Sequence, residues 1–526
     1  MEQLGEVEVI IQGEEERNAP HCPHGPAVLF QVTCRGEKSG KRFYACSACR
    51  DRKDCSFFQW ENEKVSEERL HAREEQNRLK RPSFSHSEYC LRFREFVSLP
   101  LDQRRFCVDC QLLLLPAERS AHASHKALSD DITVARLRRP SLLLRALENK
   151  KSNAQYLFAD RSCHFLLDVF SGLGYRKVLC IGTPRLHELI NIRSTEDKSN
   201  TMRSLLLDID FRYSQFYTRD EFCHYNMFNH HFFDGKEAVE VFRDFLSEED
   251  GNKVVMVADP PFGGLVKLLG QTFSKISHTW RSLHGTESGV SEMPMVWIFP
   301  YFFEPRILDC FPAFTMLDYQ VDYDNHPLYK HGTTGRKQSP VRLFTNLCPK
   351  DIVLPKEEGY RFCSICERCV SAENRHCPEC NACTSKNGRP WRHCSECGKC
   401  VKPYEDDSSA TKKKRSPVIL SQHGVTVPLA LVAYFRIIAA DKPAATTVEI
   451  LDTNTKPVPS NTREMYRVPR ERPNTTATST WLGRRKGRGR TPTGRRRKRS
   501  HEYRRSTHHE LGGPADSLAS FTGRRK

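Results

Sequence analysis

The chain has 526 residues, enough for several domains, and its 82 Lys and Arg against 65 Asp and Glu give a net charge of +17 and a pI near 9.0, the footprint of a protein that meets polyanions. It opens Met-Glu-Gln-Leu-Gly-Glu with no apolar leader, and its most apolar run, residues 428–438, is too short to cross a bilayer and contains Arg436, so a membrane protein is not expected. Without a secretory signal the 22 cysteines should be reduced, and tight Cys-x2-Cys pairs beside histidine then point to zinc, not disulfides.

In chain order, residues 1–20 are acidic and expected to be unstructured. A first small module follows over 21–62. Cys22, His24, Cys46 and Cys55 are spaced to close a tetrahedral structural zinc site over a core too small to fold alone, with Cys49 an alternative to Cys46. The ligand order, the Gly40-Lys41-Arg42-Phe43 step and the closing Cys55-x-Phe57-Phe58-x-Trp60 resemble a GRF-type zinc finger. Such fingers bind single-stranded nucleic acid, which Arg42, Phe43, Tyr44 and Trp60 would serve by charge and stacking; the competing role for Phe57, Phe58 and Trp60 is the module's own core. Residues 63–100 read as a linker with a charged, solvated helix from Lys64 to about Arg81. In 101–148, Cys107 and Cys110 followed by His122 and His125 give a C2H2-like signal around the apolar run 112–115.

Residues 149–352 alternate strand and helix patterns. Strands are expected at 178–182, 204–210, around 225–228, 254–258 and 295–299, with a closing pair at 314–323 and 341–344. That alternation predicts an α/β fold with a parallel, doubly wound sheet. The scattered Cys163, Cys180, Cys223, Cys310 and Cys348 read as small buried hydrophobes.

The run 254–258 is cut off by Asp259-Pro260-Pro261-Phe262. Proline cannot continue a ladder, so the chain makes a rigid corner at the carboxyl end of a strand, where open α/β sheets bind ligands. The corner offers a carboxylate, carbonyls and a flat ring, which suit a planar base bearing an exocyclic amine. An adenine N6 amine is a poor nucleophile because its lone pair is delocalised. Hydrogen bonds to Asp259 and a carbonyl would orient it toward an electrophile, which is catalysis by positioning more than by proton removal. An ordinary turn is the competing reading of the tetrapeptide.

From Cys363 to Cys400 nine cysteines recur: Cys363, Cys366 and Cys369; then His376, Cys377, Cys380 and Cys383; then His393, Cys394, Cys397 and Cys400. The repeat means zinc for 353–403, with Cys369 left out of the ligand set, but its order does not say which ligands share an ion. Residues 404–526 are Thr/Ser/Pro/Arg-rich and expected to be disordered. Within them 484–499 carry ten basic side chains and no acid, a nuclear-targeting or RNA-binding patch.

The central order, a 153–160 stretch "NAQYLFAD", a strand and glycine turn, an acid-ended second strand and "DPPF" on the fourth, resembles Rossmann-like S-adenosylmethionine-dependent N6-adenine methyltransferases. By that resemblance Gln155, Tyr156, Leu157 and Phe158 line the methionine end of the cofactor and Gly182 forms its turn, here Gly182-Thr183-Pro184-Arg185 in place of Gly-x-Gly. Arg185 would bind the cofactor carboxylate, Asp208 (or Asp210) the ribose, and Met227 and Phe228 the adenine, with Asp259 at the methyl. Read from the residues alone, Tyr156, Phe158, Met227 and Phe228 suit core as well as pocket, and Arg185 suits the surface. With both fingers and the Cys/His repeats in this order, residues 20–402 resemble the zinc-finger CCHC-domain family that methylates adenosine in large-subunit ribosomal RNA; "GTPRLHELI" (182–190), "CHYNMFNHHFFDGK" (223–236) and "MLDYQVDYDNH" (316–326) also carry the likeness. That family continues its Cys/His cluster into a CCHC knuckle, whereas this chain differs after Pro403. The resemblance implies S-adenosylmethionine and structural Zn2+, an rRNA substrate whose target base is splayed out, a ribosome- or helicase-associated complex, and a place in nucleolus and cytoplasm. An N6-methyltransferase acting on DNA, a catalytically idle RNA-binding zinc protein and an adaptor in a ribosome-associated complex are the alternatives.

Overall fold

The computed structural model describes residues 6–11, 19–34, 37–49, 54–147, 154–196, 202–247, 254–284, 292–326 and 339–402. The apolar run 428–438 and the basic patch 484–499 lie outside them. No helix among the described residues is long and apolar enough to cross a membrane.

The first module is a four-stranded antiparallel sheet, β1 (Glu6–Val9), β4 (Val28–Cys34), β5 (Glu37–Ala45) and β6 (Phe58–Trp60), with the ligand hairpin β2 (His21–Cys22) and β3 (Gly25–Pro26) beside it. Its core is aromatic: Phe43 is fully buried, stacked on Phe30 at 5.5 Å and edge-on to Trp60 at 5.9 Å. Phe58 and Trp60 therefore serve the mini-core. β1 comes from the segment expected to be unstructured; its alternate Val7 and Val9 reach this core, and that apolar alternation recruits a strand despite the acidic composition.

Helix α1 (Glu67–Leu79) buries no residue, as its charge predicts. Helix α2 (His86–Ser98) starts with a Ser85/Glu88 capping box and buries His86, Tyr89 and Phe96. The second zinc module orders its strands β7 (Arg105–Cys107), β8 (Leu112–Leu114) and β9 (Ala127–Leu128) as β8-β7-β9, followed by the short α3 (Val134–Leu137).

The central sheet is assembled from α4 (Asp160–Gly172), β10 (Lys177–Ile181), α5 (Pro184–Glu196), β11 (Arg203–Asp208), β12 (Phe222–Asn226), β13 (His231–Phe232), α6 (Gly235–Leu246), β14 (Val254–Ala258), α7 (Val266–His284), β15 (Met295–Pro300), α8 (Glu304–Cys310), β16 (Thr315–Leu317) and β17 (Val341–Thr345). Its order is β13-β12-β11-β10-β14-β15-β17-β16. The strands β12, β11, β10, β14 and β15 run parallel, while β13, β17 and β16 pair antiparallel at the edges. The sheet is thus mixed, not wholly parallel. Side chains alternate between two cores: Val178, Cys180, Val255 and Val257 pack with Leu166 and Ile190 on one face, Leu179, Ile181, Met256 and Ala258 with Phe242 and Phe273 on the other. Of the scattered cysteines, Cys163, Cys180 and Cys223 are buried, Cys310 is half-buried, and Cys348 is exposed in the loop after β17. The expected strand 314–323 is shorter than predicted. It leaves the sheet after Leu317, and Tyr323 makes a lone bridge to Phe158.

Both zinc modules are built into the central domain. Cys22, Cys46 and Ala48 join the same buried cluster as Met227 and Phe228, and Phe106 and Leu113 join the cluster on the opposite face. The carboxyl-terminal region is a series of two-stranded hairpins, β18 (Tyr360–Cys363) with β19 (Arg368–Ser371), β20 (His376–Cys377) with β21 (Ala382–Cys383), and β22 (Arg392–Cys394) with β23 (Lys399–Val401).

Candidate active site

Strand order reverses between β10 and β14, and a crevice opens at their carboxyl ends. Asp259 extends the ladder by one bond, its N–H donating to the Ile181 carbonyl at 3.1 Å, before Pro260 and Pro261 turn the chain away. Gly182 crosses opposite with φ +65°. A Cβ there would stand 2.9 Å from Met227 Cε and 3.2 Å from the Asp259 carbonyl oxygen, so the turn tolerates no side chain. Gln155 and Tyr156 before α4, Gly182 after β10, Asp208 ending β11, Met227 after β12 and Asp259 to Phe262 after β14 line one cleft.

The two acids after the leucine run have different fates. Asp210 is held by Arg212, Nη2 to Oδ2 at 2.6 Å and Nε to Oδ1 at 2.7 Å. Asp208 faces the cleft, where burial and the neighbouring Asp210 push its carboxyl up to about 7. At the other end, enclosure raises the Asp259 carboxyl well above the usual range, partly offset by the Tyr323 hydroxyl, which donates to Oδ1 at 2.9 Å. Tyr323 is fully buried, and burial beside Asp259 keeps its hydroxyl protonated. Tyr156, Phe262 and His326 wall the corner: the Tyr156 ring lies 4.3 Å from His326 and 5.5 Å from Phe262, and Phe262 stands edge-on to Tyr323 at 6.0 Å. Burial lowers the His326 pKa. The cleft therefore has the Asp208 carboxylate on one side, the glycine turn packed directly against the Asp259 backbone, and an acceptor at Asp259 beside aromatic rings.

Four residues expected at a cofactor are elsewhere. The Leu157 N–H donates to Asn325 Oδ1 at 2.8 Å, outside the cleft lining. Phe158 is buried in the core against Tyr323. Arg185 bonds Asp324 at 2.8 Å, Asp160 at 3.3 Å and Ser141 Oγ at 3.0 Å, so two carboxylates already occupy its guanidinium. Phe228 is buried behind Gly264, where an added Cβ would lie 3.0 Å from its ring. Residue pattern alone did not single out Tyr323, His326 or two asparagines, Asn226 closing β12 and Asn229 after it. Asn226 Nδ2 donates to the His24 carbonyl at 2.7 Å and Ser47 Oγ at 3.1 Å, and Asn229 Nδ2 to the His24 and Pro26 carbonyls at 3.1 and 2.9 Å. They fix the first finger to the strand end that carries Met227. A polar residue closing the apolar strand β12 was their one local signal; Tyr323 had none.

Four ligand groups assemble: Cys22, His24, Cys46 and Cys55; Cys107, Cys110, His122 and His125; Cys363, Cys366, His376 and Cys383; and Cys377, Cys380, His393 and Cys400. In each, the donor atoms lie within 4.8 Å of one another. Four sulfur and imidazole donors with no open position fit structural zinc. The last two groups interleave, since His376 belongs to one and Cys377 to the other. Cys394 and Cys397, counted among the ligands on the repeat, lie outside all four groups because no second pair of donors reaches them among the described residues.

Residues 149–327 match the family model described as probable N6-adenine methyltransferase, and residues 20–64 match the GRF zinc finger. The chain is 60% identical over 397 residues to the rRNA N(6)-adenosine-methyltransferase ZCCHC4 of Homo sapiens, covering 76% of this chain and 77% of the relative. It is 60% identical to the Xenopus tropicalis protein of the same name over 70% of this chain and 76% of the relative, and 60% identical to the Mus musculus one over 70% and 72%.

Proposed function

The chain belongs to the family of rRNA N6-adenosine methyltransferases, and we infer from its cleft that it methylates N6 of an adenosine in ribosomal RNA, with S-adenosylmethionine as donor. The observation that carries the reading is the corner itself: an enclosed carboxylate, bonded by Tyr323 and followed by Phe262, which packs with Tyr156, in a cleft that also holds Gly182 and Asp208.

S-adenosylmethionine, when bound, supplies an electrophilic methyl group. Gly182 would let the backbone approach it, Asp208 would hold its ribose, Met227 its adenine, and Gln155 and Tyr156 its methionine end. Arg185 is engaged through Nη1 and Nε by Asp324, Asp160 and Ser141, and we assign it no cofactor contact.

The substrate adenine must leave its stack to reach this depth. Phe262 takes one face of the base. Asp259 would accept a hydrogen bond from one N6 hydrogen and the Pro260 carbonyl one from the other, which turns the nitrogen lone pair along the cleft. Transfer makes that nitrogen cationic, and a carboxylate whose proton affinity enclosure has raised is suited to take the released proton. Zinc stays structural. The first finger, tied to the strand end, would add contacts for single-stranded RNA to this strongly basic chain, so binding should weaken steeply with salt.

The test is transfer of a labelled methyl group to ribosomal RNA by wild type and Asp259→Ala, with cofactor and RNA binding measured in parallel. Loss of transfer with both bindings kept supports the assignment; transfer at the wild-type rate ends it. RNA and DNA oligonucleotides in competition decide the polymer, and the large subunit is the proposed source of the RNA. Nucleolar and cytoplasmic residence and a ribosome- or helicase-associated complex are further proposals, supported by the basic run 484–499. Imaging and proximity labelling of the full chain test them.

A further inference from the structure

The two interleaved zinc sites follow one register. In each, the first two cysteines of a unit (Cys363 and Cys366, then Cys377 and Cys380) meet the histidine and third cysteine of the next unit (His376 and Cys383, then His393 and Cys400). Such a register leaves a remainder at either end. At the start it is Cys369, the third cysteine of a unit with no predecessor, and it is buried in the main core. At the other end it is Cys394 and Cys397, the first pair of a unit with no successor. Among the described residues no histidine or further cysteine joins them, and residues 401–526 contain no cysteine.

The remainder at Cys394 is nevertheless built as a ligand pair. In the three sites that use a Cys-x2-Cys pair with two further donors, the residue after the second cysteine has a left-handed backbone: Gln111 at φ 57°, Glu367 at 48° and Asn381 at 47°. Gly398, after Cys397, has φ 64°. The Gly398 N–H closes the turn on the Cys394 carbonyl at 2.9 Å, and the Cys397 thiol donates to the Lys399 carbonyl at 3.8 Å. Cys397 is exposed and Cys394 half-buried, so the other half of a tetrahedron would lie in solvent.

We propose that Cys394 and Cys397 are an open half of a fifth zinc site, which a second copy of the chain closes with its own Cys394 and Cys397. Two identical pairs supply the four thiolates that a structural zinc ion requires, and four thiol protons pass to solvent as the Zn–S bonds form. The contact is isologous, one patch on itself about a two-fold axis. The patch is suited to that: Glu396 and Lys399, both exposed, flank Cys397 with opposite charges, and Val401 nearby is 44% exposed.

The experiment uses the full chain, purified with zinc and a reductant that contains no thiol. Zinc per chain is measured by elemental mass spectrometry and molar mass by light scattering, for wild type and C394S/C397S, with C397A as a second variant at the exposed position. The expected result is a dimeric wild type with about half an equivalent of zinc per chain more than the variants, and monomeric variants that keep methyl transfer and so are folded. Equal zinc and equal mass in wild type and variants would overturn the proposal. So would a monomeric wild type with a whole additional equivalent, which would place the missing ligands, such as His423, in the same chain.

Discussion

The Tyr323 hydroxyl donates to Oδ1 of Asp259 at 2.9 Å, joining the segment after β16 to the corner after β14. The bond fixes the carboxylate plane and leaves Oδ2 for a substrate amine. Tyr323→Phe removes a hydrogen bond to a charged group, a loss of about 1.5–3 kcal/mol, or roughly ten- to hundredfold in kcat. Cofactor and RNA dissociation constants should change little. The same variant predicts a shift in pH dependence. Transfer needs ionised Asp259, so the rate rises with pH through that group's pKa, which enclosure has raised and Tyr323 lowers. Without Tyr323 the rising limb moves to higher pH. A kcat and pH profile identical to wild type would remove Tyr323 from the mechanism.

Burial of Asp208, the proposed ribose ligand, costs stability. Its pKa in the fold is about 7 against an ordinary value of 3.8, so the folded chain binds a proton that the unfolded chain has lost across that window. Stability therefore falls as pH rises from about 4 to about 7 and then levels off, by at most ~1.4 kcal/mol per pH unit. Asp208→Asn should raise the unfolding free energy at pH 8, with a smaller gain at pH 6, while abolishing tight cofactor binding. Denaturant unfolding at the two pH values checks it; a variant less stable than wild type at pH 8 contradicts it.

By the proposed mechanism Phe262 stacks on the extruded base. Phe262→Ala should cost about 1–3 kcal/mol in kcat/KM for RNA and leave cofactor affinity unchanged, because the ring sits at the corner and not at the Asp208 end. Phe262→Tyr should restore most of the loss. Equal failure of both would mean that the ring acts through packing against Tyr156 and Tyr323 instead.

Asn226 and Asn229 hold the first finger by four hydrogen bonds to His24, Pro26 and Ser47. The double variant Asn226→Ala, Asn229→Ala should raise KM for RNA about tenfold or more, since each bond is worth roughly 0.5–1.5 kcal/mol. Zinc content should not change. Hydrogen exchange at residues 21–49 should accelerate, and unaltered exchange there would show that Cys22, Cys46 and Ala48 alone keep the finger in place.

The strand pattern placed β10, β14, β15 and β17 to within a residue, because fully buried strands are continuous apolar runs, whereas β12 begins three residues before the expected 225–228, the strand expected at 314–323 ends at Leu317, and β13 was not expected. β14 ends where the prolines demand. The acids at 208 and 210 share a face by alternation, but Arg212 two positions on decides which of them is left for the cleft. What the pattern did not give depends on distance along the chain. Tyr323 reaches Asp259 over 64 residues and Asn226 reaches His24 over 202, and neither contact leaves a periodic trace. Arg185 stands in the expected turn, yet Asp324, brought in by the segment that leaves the sheet after Leu317, takes its charge. The interleaving of the zinc ligands was likewise hidden, since order along a repeat does not fix pairing.

His376 and Cys377 are neighbours in the chain and serve different ions. Loading the first ion therefore sets the backbone from which the second draws its ligand, and removal of either loosens both. Metal uptake across 363–400 should be a single cooperative event with no stable half-loaded state. The hairpins cannot then be exchanged, deleted or duplicated singly, and a change in their number alters which cysteines are left over at the end.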